Sequence, residues 1–446
     1  MRTEYLILGA NAAGMSAAMR IIKTDKQAHI TVLEKTDVVS FGSCGIPYFV
    51  GGEFADVDQM TAKPLEEFIK LGMEVHRHHA AVGIDIDKKT VSASDTQSGT
   101  IRQFRYDKLM IATGASPVAP PITGLATGNV HTMHTRQDAL TLLDLMQDSQ
   151  NIVIVGAGFI GLEAAEAFAQ RGKNVTIIEF GDRAMARTFD PDITGHIEAA
   201  LRRHQINLQL GVSVEELISE QGRVLAVKTS MGTVPADLVL LAAGFKPNTE
   251  FLRDSPIALS PAGAIVIDAQ CRTSVADIYS AGDCATVLHK INGDSYIPLA
   301  TTANKLGRIA GEVMAGKDSR FIGTLGSSGI RVFDLEAGRT GITELEAKQS
   351  GVEYGTVFIE DKNHTDYVDG QSAMWVKLIY EKTSRKLLGG QICGSFGGGA
   401  VLRVDALAVA IYSGLTVDEL GMMDFIYAPP FARTWDILNV AGNVAK

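Results

Sequence analysis

The chain has 446 residues, 46% of them hydrophobic, with 41 Lys and Arg against 51 Asp and Glu and a net charge of −10. That length predicts two to four ordered domains, and the acidic balance disfavours nonspecific nucleic-acid binding while leaving room for local basic patches. No stretch has the length and apolarity of a membrane span, the N-terminus runs into a strand without a signal core, and the four dispersed cysteines form neither a disulfide scaffold nor a zinc spacing, so the expected location is cytoplasmic. The first predicted element is the strand Tyr5-Leu6-Ile7-Leu8, followed by Gly9-Ala10-Asn11-Ala12-Ala13-Gly14, a helix to about Ile22 and a strand Ile30–Leu33 ending at Glu34 and Lys35. Strand, glycine turn, helix, strand and acid make a dinucleotide-binding βαβ unit. Gly9 permits the turn, Gly14 lets helix and strand approach, the helix N-terminus faces a pyrophosphate, and Glu34 can accept from a ribose hydroxyl. Asn11 stands where a middle glycine is usual.

Cys44 comes next, in Ser40-Phe41-Gly42-Ser43-Cys44-Gly45-Ile46-Pro47-Tyr48, with no second cysteine near it in sequence. One thiol must store its oxidised state as a mixed disulfide or a sulfenic acid. Gly42 and Gly45 allow close backbone approach, and Pro47 suits the first turn of a helix, which places the sulfur at a helix N-terminus where a thiolate is stabilised. The run His76-Arg77-His78-His79 reads as strand, whose alternation splits the rings between faces; solvated histidines and no metal site are expected. A strand Tyr106–Gly114 follows. The second βαβ unit is complete: Ile152–Val155, Gly156-Ala157-Gly158-Phe159-Ile160-Gly161, a helix to about Arg171, and Val175–Glu179. Glu179 favours NADH over NADPH because it repels a 2′-phosphate, and Arg183 and Arg187 soften that preference. Thr273–Asp283 reads as a strand capped by Gly282-Asp283, Pro298 opens a helix to about Met314, and the glycine-rich Gly311–Ser328 reads as a boundary. Beyond it, strands at 355–360, 373–380 and 387–393 and a helix at 401–412 predict an α+β domain, with capping boxes at Thr343/Glu346 and Thr416/Glu419.

With Ala112-Thr113-Gly114 and Ala281-Gly282-Asp283 added, the chain resembles the two-dinucleotide-domain flavoprotein disulfide reductases over essentially its whole length. The motif around Cys44 resembles their single-cysteine branch, which contains coenzyme A disulfide reductases, NADH-dependent persulfide and polysulfide reductases, NADH peroxidases and NADH oxidases. The resemblance implies an α/β fold with two Rossmann-like dinucleotide-binding domains, for FAD (1–118 and 248–322) and NADH (119–247), and a C-terminal α+β dimerisation domain (323–446). The cofactor residues it implies are Gly9, Asn11, Ala12, Ala13, Gly14, Glu34, Lys35, Ser43, Ala112, Thr113, Gly114, Asp283, Ala300 and Thr301, with Gly156, Gly158, Phe159, Ile160, Gly161, Glu163, Glu179 and Gly244. Phe159 is expected to cover the flavin until nicotinamide displaces it, and Cys284 to pack beneath the flavin.

Peroxidase and oxidase members carry a histidine in the first glycine loop, where this chain has Asn11-Ala12-Ala13. Coenzyme A disulfide reductases carry a catalytic tyrosine in a Tyr-Ala-Pro-Pro segment, matched by Tyr427-Ala428-Pro429-Pro430, and a second in Tyr-Tyr-Pro, which falls on Tyr367 although the text here is Asp366-Tyr367-Val368-Asp369. Coenzyme A needs cations, and Arg20, Lys23, Lys63 and Arg308 are the candidates. Basic helix ends are also what the helix dipole favours at a solvated surface. Ser40 and Ser43 either meet the pantetheine arm or satisfy the turn. The expected enzyme is an FAD-dependent NAD(P)H oxidoreductase, active as a homodimer, that reduces coenzyme A disulfide or persulfide through a Cys44 mixed disulfide with Tyr427 acting in trans. The alternatives are an NADH oxidase or peroxidase using a Cys44 sulfenic acid, an NADH-dependent persulfide or polysulfide reductase, and a flavin redox sensor without rapid turnover.

Overall fold

The structure is a computed structural model that describes residues 2–125 and 127–446. Strands β1 (Glu4–Leu8), β2 (His29–Leu33), β3 (Glu74–His76) and β4 (Lys108–Ile111) form a parallel sheet in the order β4-β1-β2-β3, and Ile278–Ser280 adds a fifth parallel strand beside β4. Leu6, Ile7 and Leu8 are buried because a parallel sheet covered on both faces leaves a central strand no wet side. Helix α1 (Ala12–Thr24) follows β1, and the short α2 (Ile46–Gly51) follows the Cys44 turn. The strands expected at Tyr106–Gly114 and Thr273–Asp283 shrink to four and three residues. Gly114 and Gly282 end them by taking φ of 68° and 83°, which turns both chains away from the sheet.

The second βαβ unit founds a second parallel sheet. Its strands are β5 (Val130–His131), β6 (Asn151–Val155), β7 (Asn174–Glu179), β8 (Asn207–Leu210) and β9 (Leu238–Leu241), in the order β8-β7-β6-β9-β5. Helix α3 (Phe159–Gln170) rises from the glycine turn after β6. The two chain crossings between the first two sheets, Ala115–Pro117 and Phe245–Pro247, pair antiparallel. Asn248 locks them: its Nδ2 donates to the Thr113 carbonyl at 2.9 Å, and its Oδ1 accepts from Ser116 Oγ at 2.6 Å.

Helix α4 (Ala300–Met314) then returns to lie along α1. The expected boundary at Gly311 is corrected here. Gly311 lies inside α4, and a Cβ on it would sit 2.4 Å from the Ala17 carbonyl oxygen, so its glycine serves helix contact rather than a loop.

The C-terminal sheet is antiparallel, in the order β10-β11-β14-β13-β12, built from β10 (Ser328–Val332), β11 (Leu335–Gly341), β12 (Tyr354–Lys362), β13 (Ala373–Glu381) and β14 (Leu387–Ser395). β10 and β11 were absent from the sequence expectation. β11 is buried along its whole length, including Glu336, Arg339 and Thr340, so it shows no apolar-polar alternation. Its charges have local partners: Arg339 pairs with Glu346 at 2.8 Å, and Glu336 accepts from Val401 N at 3.2 Å in the first turn of α5 (Ala400–Tyr412). The capping boxes at Thr343/Glu346 and Thr416/Glu419 form as expected. Lys377 of β13, almost fully buried, pairs with Glu344 at 2.6 Å and reaches across to Asp192 of the second sheet's flanking helix. Among the described residues no helix is long and apolar enough to cross a membrane.

Candidate active site

Both glycine turns are built alike. Gly9 has φ 103° and Gly156 φ 112°, and a Cβ on either would collide with a carbonyl oxygen of the neighbouring strand end, Ala112 at 2.2 Å and Ala242 at 2.4 Å. Gly14 and Gly161 press against the carbonyls of Gly9 and Gly156, where a Cβ would lie at 1.9 and 2.0 Å. The acids at the ends of β2 and β7 fasten these turns. Glu34 accepts from Ala10 N at 2.8 Å and from Thr36 N and Oγ1 at 2.9 Å each, and Glu179 accepts from Ala157 N and Gly181 N at 2.7 Å each. In front of the turns the space is open. A Cβ at Gly158, Gly114 or Gly244 would meet nothing within 4 Å, so backbone amides there can approach a ligand closely. Asp283 is held near the first turn, where a Cβ added to the preceding Gly282 would lie 3.0 Å from Ala13 Cβ, and burial raises its pKa. Ala12 and Thr113 are half-buried beside it, and Ala300 and Thr301 open α4 with exposed side chains. This cradle fits a dinucleotide at each turn.

Cys44 lies in the turn Ser43–Gly45 that leads into α2, with Pro47 in the helix's first turn. It is the exposed cysteine of the four; Cys271, Cys284 and Cys393 are buried. Cys284 packs against Ser280 Oγ at 3.5 Å, immediately behind Asp283. The place of Cys44 at the start of α2 is the expected one, while partial desolvation of the thiol, then the carboxylates of Glu163 and Asp283, push its pKa up. The loop that carries Cys44 is tied to the first glycine turn at Asn11, whose Oδ1 accepts from Phe41 N at 3.0 Å, and by Ser40 N donating to the Ala10 carbonyl at 2.7 Å. Ser40 takes φ 54° to make that junction.

In the C-terminal domain, Tyr367 and Tyr427 come together with their hydroxyls 3.2 Å apart on an exposed surface, although 60 positions separate them. That hydrogen bond raises the Tyr427 pKa and keeps it a phenol.

Residues 3–307 match the family model of the pyridine nucleotide-disulphide oxidoreductases, and residues 327–437 match that family's dimerisation domain. The chain belongs to this family. It is 37% identical to an NAD(P)H coenzyme A polysulfide/persulfide reductase of Pyrococcus horikoshii, over 100% of this chain and 99% of that one. It is 34% identical to an NADH oxidase of Enterococcus faecalis, over 99% of each. Among solved structures, an NAD-dependent persulfide reductase from A. fulgidus superposes with a TM-score of 0.95 at 34% identity, covering 99% of this chain and 82% of that one. The chain is therefore an NAD(P)H-dependent oxidoreductase of a family that carries FAD.

Within this oxidoreductase, the candidate cations do not form one cluster. Arg20 of α1 and Arg308 of α4 converge on Glu312, at 3.1 and 3.3 Å, whereas Lys63 pairs on the surface with Glu67 at 3.2 Å. Lys23 and Lys35 are exposed. The histidine run departs from the strand expectation. His76 ends β3, His78 turns with φ 61°, and His79 starts the next strand, which brings the His76 and His79 rings to 5.4 Å instead of splitting them. Among the described residues no group of three or more metal-ligating side chains comes together. Two site residues lay beyond sequence reasoning. Asn248 sits under Thr113, and Arg331 of β10 reaches α3, where it pairs with Glu166 at 2.7 Å and with Glu53 beyond α2 at 2.5 Å. Neither lies in a recognisable motif, and each acts through partners distant in sequence.

Proposed function

We propose that this protein uses NAD(P)H to reduce a disulfide or persulfide of coenzyme A through a mixed disulfide on Cys44. FAD, held at the first glycine turn with Asp283 and Thr113 beside it, would carry electrons from the nicotinamide cofactor at the second turn to the Cys44 sulfur. Cys44 as thiolate attacks the substrate S–S bond, forms the mixed disulfide and releases one thiol. The observation that carries this reading is the exposed phenol pair: Tyr427, fixed by Tyr367 at 3.2 Å, has no use within its own chain's core and presents a proton donor to solvent. A phenol held below its pKa can protonate a departing thiolate. In a dimer built through the C-terminal domain, Tyr427 would serve the partner's sulfur. Arg20 and Arg308, each with guanidinium donors left beyond Glu312, are the cations for the coenzyme's phosphates. The relatives named as coenzyme A polysulfide/persulfide reductase and persulfide reductase support the substrate class.

The oxidase reading draws support from the Enterococcus faecalis relative, but position 12 here is alanine and the Asn11 side chain is already committed to Phe41 N. Whole-protein mass under denaturing, nonreducing conditions separates the two: a coenzyme A adduct on Cys44 supports the mixed disulfide, and one added oxygen supports a sulfenic acid. Tyr427→Phe should slow turnover with coenzyme A disulfide by roughly 100-fold, the low end of a general acid's contribution, while flavin reduction by NADH keeps its rate. Equal loss in both half-reactions would remove Tyr427 from this role.

A further inference from the structure

The two phenols of the proposed site stand on different loops, and packing fixes neither. Tyr367 lies between β12 and β13 and is 70% exposed; Tyr427 lies in the segment before the C-terminal helix (Ile437–Asn443) and is 45% exposed. An exposed ring has no core to set its place, so the backbone beneath it must do so. One side chain reaches both backbones. Arg403 of α5, largely buried, donates from Nη2 to the Asn363 carbonyl of the first loop and to the Phe431 carbonyl of the second, each at 3.3 Å. Its Nη1 donates to the Gly399 carbonyl at 3.2 Å, at the start of its own helix, and its Nε to Asp436 at 2.9 Å. Asp436 is buried too, and its other oxygen accepts from Leu438 N at 3.0 Å, which ties the C-terminal helix to the same point. The loops are also joined directly: Thr365 Oγ1 donates to the Pro429 carbonyl at 3.0 Å, two residues from each tyrosine, and Arg433 pairs with Asp361. Ser372 N closes the first loop by donating to Asn363 Oδ1 at 2.8 Å.

We propose that Arg403 is the positioning residue of the phenol pair: its guanidinium fixes the two loops relative to each other, so that Tyr367 and Tyr427 meet at 3.2 Å and Tyr427 keeps the orientation in which it protonates a departing thiolate. This rests on the role proposed above for Tyr427 and adds the group that holds it there. Among the described residues Arg403 forms no hydrogen bond with either phenol, so it acts through the backbones that carry them. A guanidinium suits the task. Its N–H groups point in fixed directions within one plane, so a single side chain bonds two carbonyls of different loops and a carboxylate at once. Asp436 orients that fork through a charge-assisted bond. Lysine carries the same charge as a point on a flexible stem, and it satisfies Asp436 without bridging the two carbonyls. The rate is sensitive to such a loss, because a displacement of about 1 Å in a catalytic group costs on the order of 100-fold.

The test compares Arg403→Lys, Tyr427→Phe and the double variant, each as flavin-bound holoenzyme, in two reactions: flavin reduction by NADH and turnover with coenzyme A disulfide. Arg403→Lys should slow disulfide turnover by about tenfold or more, in kcat rather than KM, while flavin reduction keeps its rate. The double variant should be no slower than Tyr427→Phe alone, because a group that acts only through the phenol has nothing left to position once the hydroxyl is gone. Hydrogen exchange reads the clamp itself, and amides of residues 363–372 and 425–433 should both exchange faster in Arg403→Lys. Parent-like turnover in Arg403→Lys, effects that multiply in the double variant, equal loss in both reactions, or unchanged exchange in either loop overturns the inference and leaves the role of Tyr427 standing. Parent-like turnover in Tyr427→Phe removes that role, and the positioning with it. Should Arg403→Lys not yield a flavin-bound dimer, Asp436→Asn decides, since it keeps a helix-capping side chain and releases the guanidinium: slower disulfide turnover with no further loss on adding Tyr427→Phe upholds the inference, and the parent's rate overturns it.

Discussion

Asn11 Oδ1 accepts the Phe41 N–H at 3.0 Å, in a chain position where a glycine would have left that amide bare. Phe41 is buried at 8% exposure, so its amide has little access to water as a substitute partner. Asn11→Ala should therefore cost about 1–3 kcal/mol, the penalty for leaving a buried donor unmade. Urea unfolding of the holoenzyme measures it; an unchanged midpoint would show that water replaces the side chain. The residue was visible in the sequence only as a departure from the fingerprint. Its partner lies 30 positions away across a loop, and nothing in the local text announces that contact. Glu34 and Glu179, by contrast, were legible as the acids that close each βαβ unit. The structure adds that the same carboxylates fasten the glycine turns through Ala10 N and Ala157 N, so each acid acts on the protein as well as facing the nucleotide site.

At the scale of elements, α1 and α4 lie nearly in backbone contact. A Cβ at Gly307 would sit 2.3 Å from the Ala13 carbonyl oxygen and one at Gly311 2.4 Å from that of Ala17, distances no side chain tolerates. Glu312 of α4 then ties the two helices through Arg20 of α1 and pairs along its own helix with Arg308. Gly311→Val must push α4 away from α1, at a cost of about 1–3 kcal/mol or more. Because α1 begins at the first glycine turn, the variant should also lose flavin on gel filtration; full flavin content together with an unchanged Tm would contradict this packing argument. The helix and its end near Met314 were legible in the sequence. The part Gly311 plays was not, because a glycine reads the same whether it breaks a helix or admits a neighbour, and only the neighbour distinguishes the two. β11 was missed for a related reason. Its buried Glu336 and Arg339 erase the strand's period, and their partners in α5 and the Thr343 capping box are found only by folding.

At the scale of the whole molecule, exposed large apolar side chains, scattered elsewhere as at Phe180 and Met231, gather in the C-terminal region. Leu402 and Val409 of α5 are 75% and 65% exposed, and Met422, Ile426, Phe431 and Trp435 join them within the segment that matches the family's dimerisation domain. A surface of that kind seeks a partner. Placing charge on it, as in Leu402→Glu with Val409→Glu, should yield a monomer by analytical ultracentrifugation. If Tyr427 serves the partner's Cys44, that monomer keeps flavin reduction by NADH and loses disulfide turnover; a monomer that still turns over would return the tyrosine to its own subunit's site or to none.

The sequence alone determined the two nucleotide-binding units, the glycine-flanked turn around Cys44 and the α+β character of the C-terminal region, because each is written in residues that are neighbours along the chain. A glycine turn needs its strand and helix within about 30 residues, and that whole unit is read in order. Only the tertiary structure assembled the charges around Cys44. The groups that oppose a thiolate there, Glu163 and Asp283, stand 119 and 239 positions further along the chain. The same holds for Arg331 on Glu166, 165 positions apart, and for Asn248 beneath Thr113, 135 apart. Electric fields and hydrogen bonds act through space, and contacts of such separation leave no periodic trace in the chain that makes them.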